Sequence, residues 1–378
     1  MKFHIRLLGT ILCLFSVFQT FIIITVNIQE NIQLQNLNTM ATPSIAKWFM
    51  VVQTEDDIVS AMEFCQQQSC DYLVLGEGSN SLFLNDLDIF VIANRIGGAG
   101  QISDVFSSKA ISTLAENDST IDLRIGAGVN WHQLVKQSLE HEYYGLEQLA
   151  LIPGLVGAAP IQNIGAYGSE LQDVLINVRA FDVEKKQFIG LTKQDCQFAY
   201  RDSLFIQKPK RYIITAVDLR LTKKIPTYSF DSVYAGLKPE LAECQKCQTI
   251  TPHDVFNAVC KTRTAKLPDP KILPNAGSFF KNPVVSKEKE QALKIEFPNL
   301  VSYSVENGIK LAAGWLIEQT GFKGKSQENG VGCYEKQALV LINPEKTIGQ
   351  SVYDFSEKVK QSVNTKFGVE LEVEPRIY

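Results

Sequence analysis

The sequence predicts a mixed α+β protein of two or three domains, on three observations. Its 378 residues exceed what one hydrophobic core ordinarily supports. Strand-like apolar runs are interspersed with amphipathic helices, and the one strand that runs into a dinucleotide-like glycine loop is followed by another strand rather than a helix. A stiff connector, Lys266-Leu267-Pro268-Asp269-Pro270, then sets off the last part of the chain.

Taken in order, Trp48 to Val52 is a strand, and Thr54 caps a helix whose first turn is acidic and whose apolar side carries Ile58, Met62, Phe64 and Cys65. Tyr72 to Leu75 is a short buried strand that enters Gly76-Glu77-Gly78-Ser79-Asn80. The sixth glycine of a Rossmann fingerprint is absent, and Ser81-Leu82-Phe83-Leu84 follows. That leaves either a nest of backbone N–H groups able to hold a pyrophosphate or an ordinary hairpin turn, ahead of a strand through Ile89 to Ile92. After a strand at Ile121 to Ile125, Asn130 caps a helix with Trp131, Leu134, Val135 and Leu139 on one face.

Gly145 to Gly168 is the densest glycine region and is also apolar, which suits it to wrapping a flat ligand with backbone amides rather than to a solvated loop. Strands follow at Val174 to Val183 and Tyr212 to Leu221. Between them Arg201, flanked by aromatics, either pairs with Asp202 at the surface or clamps a carboxylate in two-pronged fashion. Pro226 to Asp231 is a loop with an exposed aromatic, and a helix runs from Pro252 to about Lys261. Further helices are expected at Ile309 to Thr320, ended by Gly321, and at Val352 to Phe367, with a buried strand from Gln337 to Asn343.

In the stretch Leu273 to Pro283, Ala276 and Gly277 deliver Ser278 into a turn beside Phe279, Phe280 and Lys281. Residue types there support a proton-donating serine, with the aromatics excluding water and Lys281 holding the residual charge. The same residues also fit a glycine turn opening a buried strand.

Composition excludes several classes. A net charge of −4, a pI near 5.7 and 37 unclustered Lys and Arg residues argue against a nucleic-acid partner. Eight scattered cysteines form no disulfide framework and fit free thiols in a reducing compartment. The single Cys244-Gln-Lys-Cys247 pair and four dispersed histidines give no metal-site pattern, so no metal is expected. Ile5 to Val26 is strongly apolar and reads as an anchor, an export signal or residues ahead of the true start.

Leu75-Gly-Glu-Gly-Ser-Asn80, the run Ile152 to Gly168, Tyr200-Arg-Asp-Ser203, Lys266 to Pro270, Asn275 to Pro283, Ala312-Ala-Gly-Trp-Leu-Ile317 and the terminus around Glu374 together resemble the UDP-N-acetylenolpyruvoylglucosamine reductase family. The resemblance covers nearly everything after about Asn36. It implies a flavin-binding region of the vanillyl-alcohol-oxidase type in two subdomains, at 36–98 and 99–224. A lid loop and connecting helix at 225–262 and an α+β substrate domain at 263–378 follow, the last strand returning to the flavin. Residues 1–33 are left as a hydrophobic extension.

The family binds FAD without a covalent bond and uses NADPH to reduce a UDP-sugar enolpyruvyl ether in peptidoglycan precursor synthesis. A cytoplasmic monomer is therefore expected, tethered to the membrane only if residues 5–26 are a real anchor. The resemblance assigns Gly76, Glu77, Gly78, Ser79, Asn80, Pro153, Gly154, Gly157, Ala158, Ala159, Ile164 and Gly165 to FAD. It assigns Tyr167, Tyr228, Lys266, Lys281, Asn282, Tyr303 and Gln337 to the substrate, with Tyr228 on the closing lid.

Enolpyruvyl reduction leaves charge on a carbon next to a carboxylate, which sets three tasks. Arg201 holds the carboxylate, Glu374 supports the developing enol with a raised pKa, and Ser278 protonates the carbon. A serine suffices because such an enolate is a very strong base, and Lys281 or Lys266 stabilises the alkoxide. Three departures stand out: Ala158 and Ala159 replace the serines of many members, Asn38-Thr-Met-Ala41 replaces the usual Asn-Thr-Phe-Gly, and Pro375 follows Glu374 where the commoner Glu-Pro-Glu-Val-Arg has the proline immediately before that glutamate. The first predicts looser FAD binding carried by backbone amides.

Overall fold

Thr54 and Asp57 exchange side-chain and backbone hydrogen bonds as a capping box, so the helix expected after residue 54 starts where the sequence places it. That helix, α1 (Glu55–Gln68), lies on a four-stranded sheet made by β1 (Gln29–Gln33), β2 (Ile45–Val52), β3 (Tyr72–Leu75) and, beyond the short β4 (Ser81–Leu82), β5 (Leu87–Asn94). The strand order is β1-β2-β5-β3, with β2, β5 and β3 parallel. Both faces of this sheet are buried, as parallel strands require. Leu73, Leu75 and Val91 pack in one core, and Met50, Phe90 and Ile92 pack with Ile58 and Ala61 in another.

The computed structural model describes residues 27–98, 104–246, 249–305 and 307–378. The apolar segment Ile5 to Val26 and Cys247 of the CxxC pair lie outside the described residues. β1 pairs antiparallel with β2, so residues 29–33, expected as part of the hydrophobic extension, form the edge strand of the first sheet. No helix among the described residues is long and apolar enough to cross a membrane.

The second sheet is antiparallel and five-stranded. β6 (Ile111–Glu116) and β7 (Thr120–Gly126) precede α2 (Trp131–Glu140) and a small hairpin, β8 (Gly165–Ala166) and β9 (Ser169–Glu170). Then come β10 (Leu175–Asp182), β11 (Gln187–Thr192), the single-turn α3 (Leu204–Gln207) and β12 (Tyr212–Thr222), in the order β11-β10-β12-β7-β6. Ile121, Leu123 and Ile125 share an inner face with Val217, Leu219 and Leu221 and pack against Trp131, Leu134 and Val135. The glycine-rich segment contributes buried Leu146, Leu149, Leu155 and Val156 to this same core, so it is anchored by side chains while its backbone remains at the cleft. On the outer face, Arg124 and Arg220 make two-pronged pairs with Asp218 and Asp122, and Arg179 does so with Glu55 of α1, which ties the two sheets together.

Helices α4 (Lys238–Lys246) and α5 (Pro252–Lys266) join the second core through Leu241, Val255 and Val259. The last region holds β13 (Asn275–Ser278), β14 (Val284–Val285), α6 (Lys287–Glu296), β15 (Ser302–Val305), β16 (Gly308–Leu311), α7 (Ala313–Gln319), β17 (Gly332–Cys333), β18 (Val340–Ile342), α8 (Gly349–Phe367) and β19 (Arg376–Ile377). Val352, Phe355, Val359, Val363 and Phe367 recur along one side of α8 and are all buried, each worth roughly 1.5–3 kcal/mol of transfer free energy. β19 leaves this region and pairs parallel with β4 of the first.

Three expectations change. α5 continues through Lys266, so the stiff connector starts only at Leu267. The helix read from Ile309 to Thr320 is a strand through Leu311 and then α7, because the cap of α7 is supplied from afar: Asn282 Oδ1 accepts from the Ala313 N–H at 2.9 Å. The buried strand read from Gln337 shrinks to Val340–Ile342, since Gln337 turns its own side chain back to the Leu339 N–H.

Gly78 shows how tightly the first loop is built. It has φ +62°, and a Cβ there would sit 2.3 Å from the Leu37 carbonyl oxygen and 2.7 Å from the Asn38 Cα. Gly78→Ala is expected to lower unfolding free energy by roughly 1–3 kcal/mol. Urea unfolding measures this, and an unchanged midpoint would show that the Asn38 turn can give way.

Candidate active site

A cleft of about 600 Å³ opens between the two sheets and the last region, and it is lined by both glycine loops, the Arg201 turn, Ser278 and the C-terminal strand. All twelve residues expected at the cofactor line it, as do Arg201, Ser278 and Glu374. None of the seven expected substrate residues does.

The first loop is an anion nest. Among the described residues, the backbone N–H groups of Glu77, Gly78, Ser79 and Asn80 donate to no protein group, which is the arrangement that takes a phosphate. The Glu77 carboxylate itself faces the protein: Oε1 accepts from Asn130 Nδ2 at 3.0 Å and Oε2 from the Gly154 N–H at 3.1 Å, clasping the two loops together. The second loop differs from expectation. The amides of Gly157, Ala158 and Ala159 already donate to the carbonyls of Ala127, Leu155 and Val156, at 2.9, 2.9 and 3.1 Å, so they are not available to replace the missing serine hydroxyls. Gly157 is needed for packing, since a Cβ would lie 2.6 Å from that of Ala127. The free donors on one side and the apolar wall of Ile152, Leu155, Ile161 and Ile164 on the other fit a flavin dinucleotide.

Ser278 is presented by an Asx turn. Asn275 accepts the Gly277 N–H on its side-chain oxygen at 2.9 Å while its amide donates to Leu273 and Pro268, and Gly277 takes φ +69°. The Ser278 side chain is exposed to the cleft and has no described partner. Phe279 and Phe280 are buried in the core beneath, edge to face at 5.4 Å, so they anchor the turn and do not cover the cleft.

Arg201 is held at φ +54° in a tight turn closed by paired Ala199 and Asp202 backbone bonds, a conformation a non-glycine residue keeps only when its surroundings enforce it. Its Nη2 donates to the Gly165 carbonyl at 3.1 Å. Asp202 points away, accepting from the Ser203 N–H and Gln207, so the surface-pair reading of Arg201 does not hold. The Arg201 Nε lies 3.2 Å from Glu374 Oε1 but out of line for a hydrogen bond. Burial lifts the Glu374 carboxyl above the usual range, and the Arg201 and Lys281 charges only partly offset it.

Lys281 is not at the Ser278 hydroxyl: its ammonium pairs with Glu372 at 2.5 Å. Lys266 closes α5, Asn282 caps the start of α7, and Gln337 Oε1 lies 2.9 Å from where a Cβ on Gly314 would fall. Tyr228 is half-buried, with its hydroxyl on Glu147 at 3.3 Å, and is not an exposed lid residue. Tyr234, six residues on, is the exposed one; its ring meets Tyr167 edge-on at 5.7 Å, and Tyr303 lies close enough to help raise its pKa after burial. Tyr167, Tyr228 and Tyr234 share a smaller cavity of about 200 Å³.

Sequence reasoning passed over two cations. Arg263 lines the cleft, contacts Tyr167 and has its pKa lowered by burial. Lys310 stands 4.8 Å from the centre of the Tyr200 ring, whose other neighbour is Arg201. Arg263 sits in a helix without a motif. Lys310 falls in the strand misread as helix, where period-two alternation with Ile309 and Leu311 was the missed signal.

Residues 46–185 match a family model described as an FAD binding domain, and residues 269–378 match one described as UDP-N-acetylenolpyruvoylglucosamine reductase, C-terminal domain. The chain is 42% identical over 349 residues to the UDP-N-acetylenolpyruvoylglucosamine reductase of Polynucleobacter asymbioticus, covering 92% of this chain and 96% of that one. It is 43% identical over 349 residues to that of Escherichia coli K12, covering 92% and 95%. The crystal structure of the Thermus caldophilus reductase shares the fold, with a TM-score of 0.61 at 21% identity over 93% of this chain and 98% of the other.

The clasp through Glu77 gives a direct test. Glu77→Ala strips the partner from Asn130 and Gly154, a loss of roughly 1–3 kcal/mol that falls on the loop geometry. FAD affinity measured by flavin fluorescence is expected to weaken about tenfold or more; an unchanged dissociation constant would show the loops are held by other contacts.

Proposed function

The chain belongs to the UDP-N-acetylenolpyruvoylglucosamine reductase family, and we propose that Arg201, Glu374 and Ser278 carry its chemistry. The protein is a flavin-dependent oxidoreductase that uses NADPH to reduce the enolpyruvyl ether of UDP-N-acetylglucosamine to UDP-N-acetylmuramate for peptidoglycan precursors. The observation that carries the residue assignment is one carboxyl, buried and 3.2 Å from a guanidinium, across a shared cleft from an unpartnered serine.

When bound, FAD supplies the reducing equivalent. Arg201 holds the substrate carboxylate, and its enforced turn keeps the guanidinium in place without reorganisation. Glu374, whose carboxyl burial pushes towards the neutral form, acts as the protonated acid and donates to the oxygen on which enolate charge develops. Ser278 then gives its proton to the adjacent carbon, which completes the saturated lactyl ether. Lys281 acts at a distance, by limiting how far the Glu374 pKa rises.

For the sugar nucleotide we assign the rim formed by Tyr167, Tyr234, Tyr303 and Lys310, with Tyr234 rather than Tyr228 as the closing aromatic. Five described cysteines are free thiols, which supports placement in the cytoplasm, and one chain supplies the whole described cleft, which supports a working monomer.

Anaerobic titration tests the assignment. NADPH should bleach the flavin and the enolpyruvyl sugar nucleotide should restore it. Ser278→Ala and Glu374→Gln should bleach normally but recover about 10²- to 10⁴-fold more slowly; recovery within a few-fold of wild type would sink these roles. Because Glu374 acts as its protonated form, wild-type recovery should be full below the raised pKa and fall as pH rises through it, and Glu374→Gln should lack that limb. For the lid, Tyr234→Ala should raise the KM for the sugar nucleotide roughly tenfold, and Tyr228→Phe should change it less than about threefold. The reverse pattern would return the lid to Tyr228.

A further inference from the structure

Glu374 is fixed at both ends of its backbone by groups from three different parts of the chain. Its N–H donates to the Phe279 carbonyl at 2.9 Å, in the segment that carries Ser278. Its carbonyl accepts from Gln162 Nε2 at 3.2 Å and from Asn80 Nδ2 at 3.4 Å, and Asn80 Nδ2 also donates to Gln162 Oε1 at 2.9 Å. Gln162 belongs to the glycine-rich loop, and Asn80 closes the anion nest. Two side-chain amides thus close a small ring on one carbonyl oxygen.

That oxygen has particular leverage in this chain. It belongs to the Glu374–Pro375 amide, and the proline confines Glu374 to extended backbone while offering no N–H of its own to the strand. With φ and ψ restrained on one side by proline and on the other by the Phe279 bond, the amide pair sets the remaining freedom, the rotation of the peptide plane that carries the Glu374 side chain towards Arg201.

We propose that Gln162 is a positioning residue for Glu374, acting through the Glu374 carbonyl and linking the nest to the acid. This rests on the assignment of Glu374 as the hydrogen-bonding acid. Asn80 shares the bond, but it also borders the nest, so Gln162 is the cleaner probe. Loss of its Nε2 donor leaves only the longer Asn80 bond on that carbonyl, which loosens the peptide plane and displaces the carboxyl by a fraction of an ångström, enough to matter for a proton donor.

The test uses the FAD-loaded enzyme and separates the two half-reactions. Gln162→Met keeps the volume and removes both hydrogen bonds; Gln162→Glu keeps an acceptor for Asn80 and removes only the donor to Glu374. Both are expected to bind FAD and be reduced by NADPH within about threefold of wild type. Re-oxidation by the enolpyruvyl sugar nucleotide should slow about 10- to 100-fold, with the alkaline limb of its pH profile displaced. Re-oxidation at the wild-type rate, or equal slowing of both half-reactions, overturns the proposal. Glu374→Gln run in parallel distinguishes the two levels: if it too re-oxidises normally, the assignment of Glu374 fails, whereas if it alone is slow, only the role of Gln162 fails.

Discussion

The last seven residues are the constraint on which the site depends. From Glu372 to Tyr378 the chain runs between two regions and bonds to both. Lys281 donates its N–H to Glu372, Phe280 bridges Val373, and Glu374 donates to Phe279. Then Arg376 donates to Asn80, Tyr378 to Leu82, and Leu84 back to Tyr378. A cleft between separate cores would otherwise be free to vary in width, since contacts between domains are usually small and polar. Here the tail is a strand of the last region at one end and a strand beside the flavin loop at the other, so the distance from Ser278 to the nest is set by covalent chain and backbone hydrogen bonds.

The same path explains the electrostatics of Glu374. A carboxyl delivered by a surface loop would be solvated and ionised, whereas one carried on a strand pinned between two regions is buried. Burial disfavours the ion by more than Arg201 favours it, because the guanidinium sits 3.2 Å away without alignment and spends Nη2 on the Gly165 carbonyl. The arrangement leaves the buried Arg201 Nε without an aligned hydrogen-bond acceptor, 3.2 Å from Glu374 Oε1. A buried donor of that kind costs stability.

Local structure was legible wherever its cause was local. The Thr54 and Asn130 caps, the apolar runs of the first sheet, the strands at 174–183 and 212–221 and the glycine turn at Ser278 all carry their signals within a few residues. The proposed trio of Arg201, Glu374 and Ser278 came from the family resemblance, and the cleft brings those three residues together with the twelve that the resemblance assigns to the cofactor. What failed had distant causes. Asn282 caps α7 across 31 positions, so no cap was visible at Ala312. Tyr228 looked exposed because the partner that buries it, Glu147, lies 81 residues earlier. Arg263 carries no motif, and only the packing of α5 brings it to the cleft, whereas at Lys310 the local alternation with Ile309 and Leu311 was overlooked.

The alanines at 158 and 159 show how a departure can be absorbed without being compensated in place. Their amides close a 3₁₀ turn over Val156 to Ala158, and that turn is held by the fit of Gly157 against Ala127. Side-chain hydroxyls at 158 and 159 would add donors on top of this turn; the backbone cannot substitute for them because its bonds are already made. Among the described residues the amides of 77–80 are free, and Glu77 turns its carboxylate away from them to hold Asn130 and Gly154. Were that carboxylate turned inward, it would repel the phosphates the nest exists to bind. One side chain thus does two things at once: it joins the loops and keeps its own charge off the ligand.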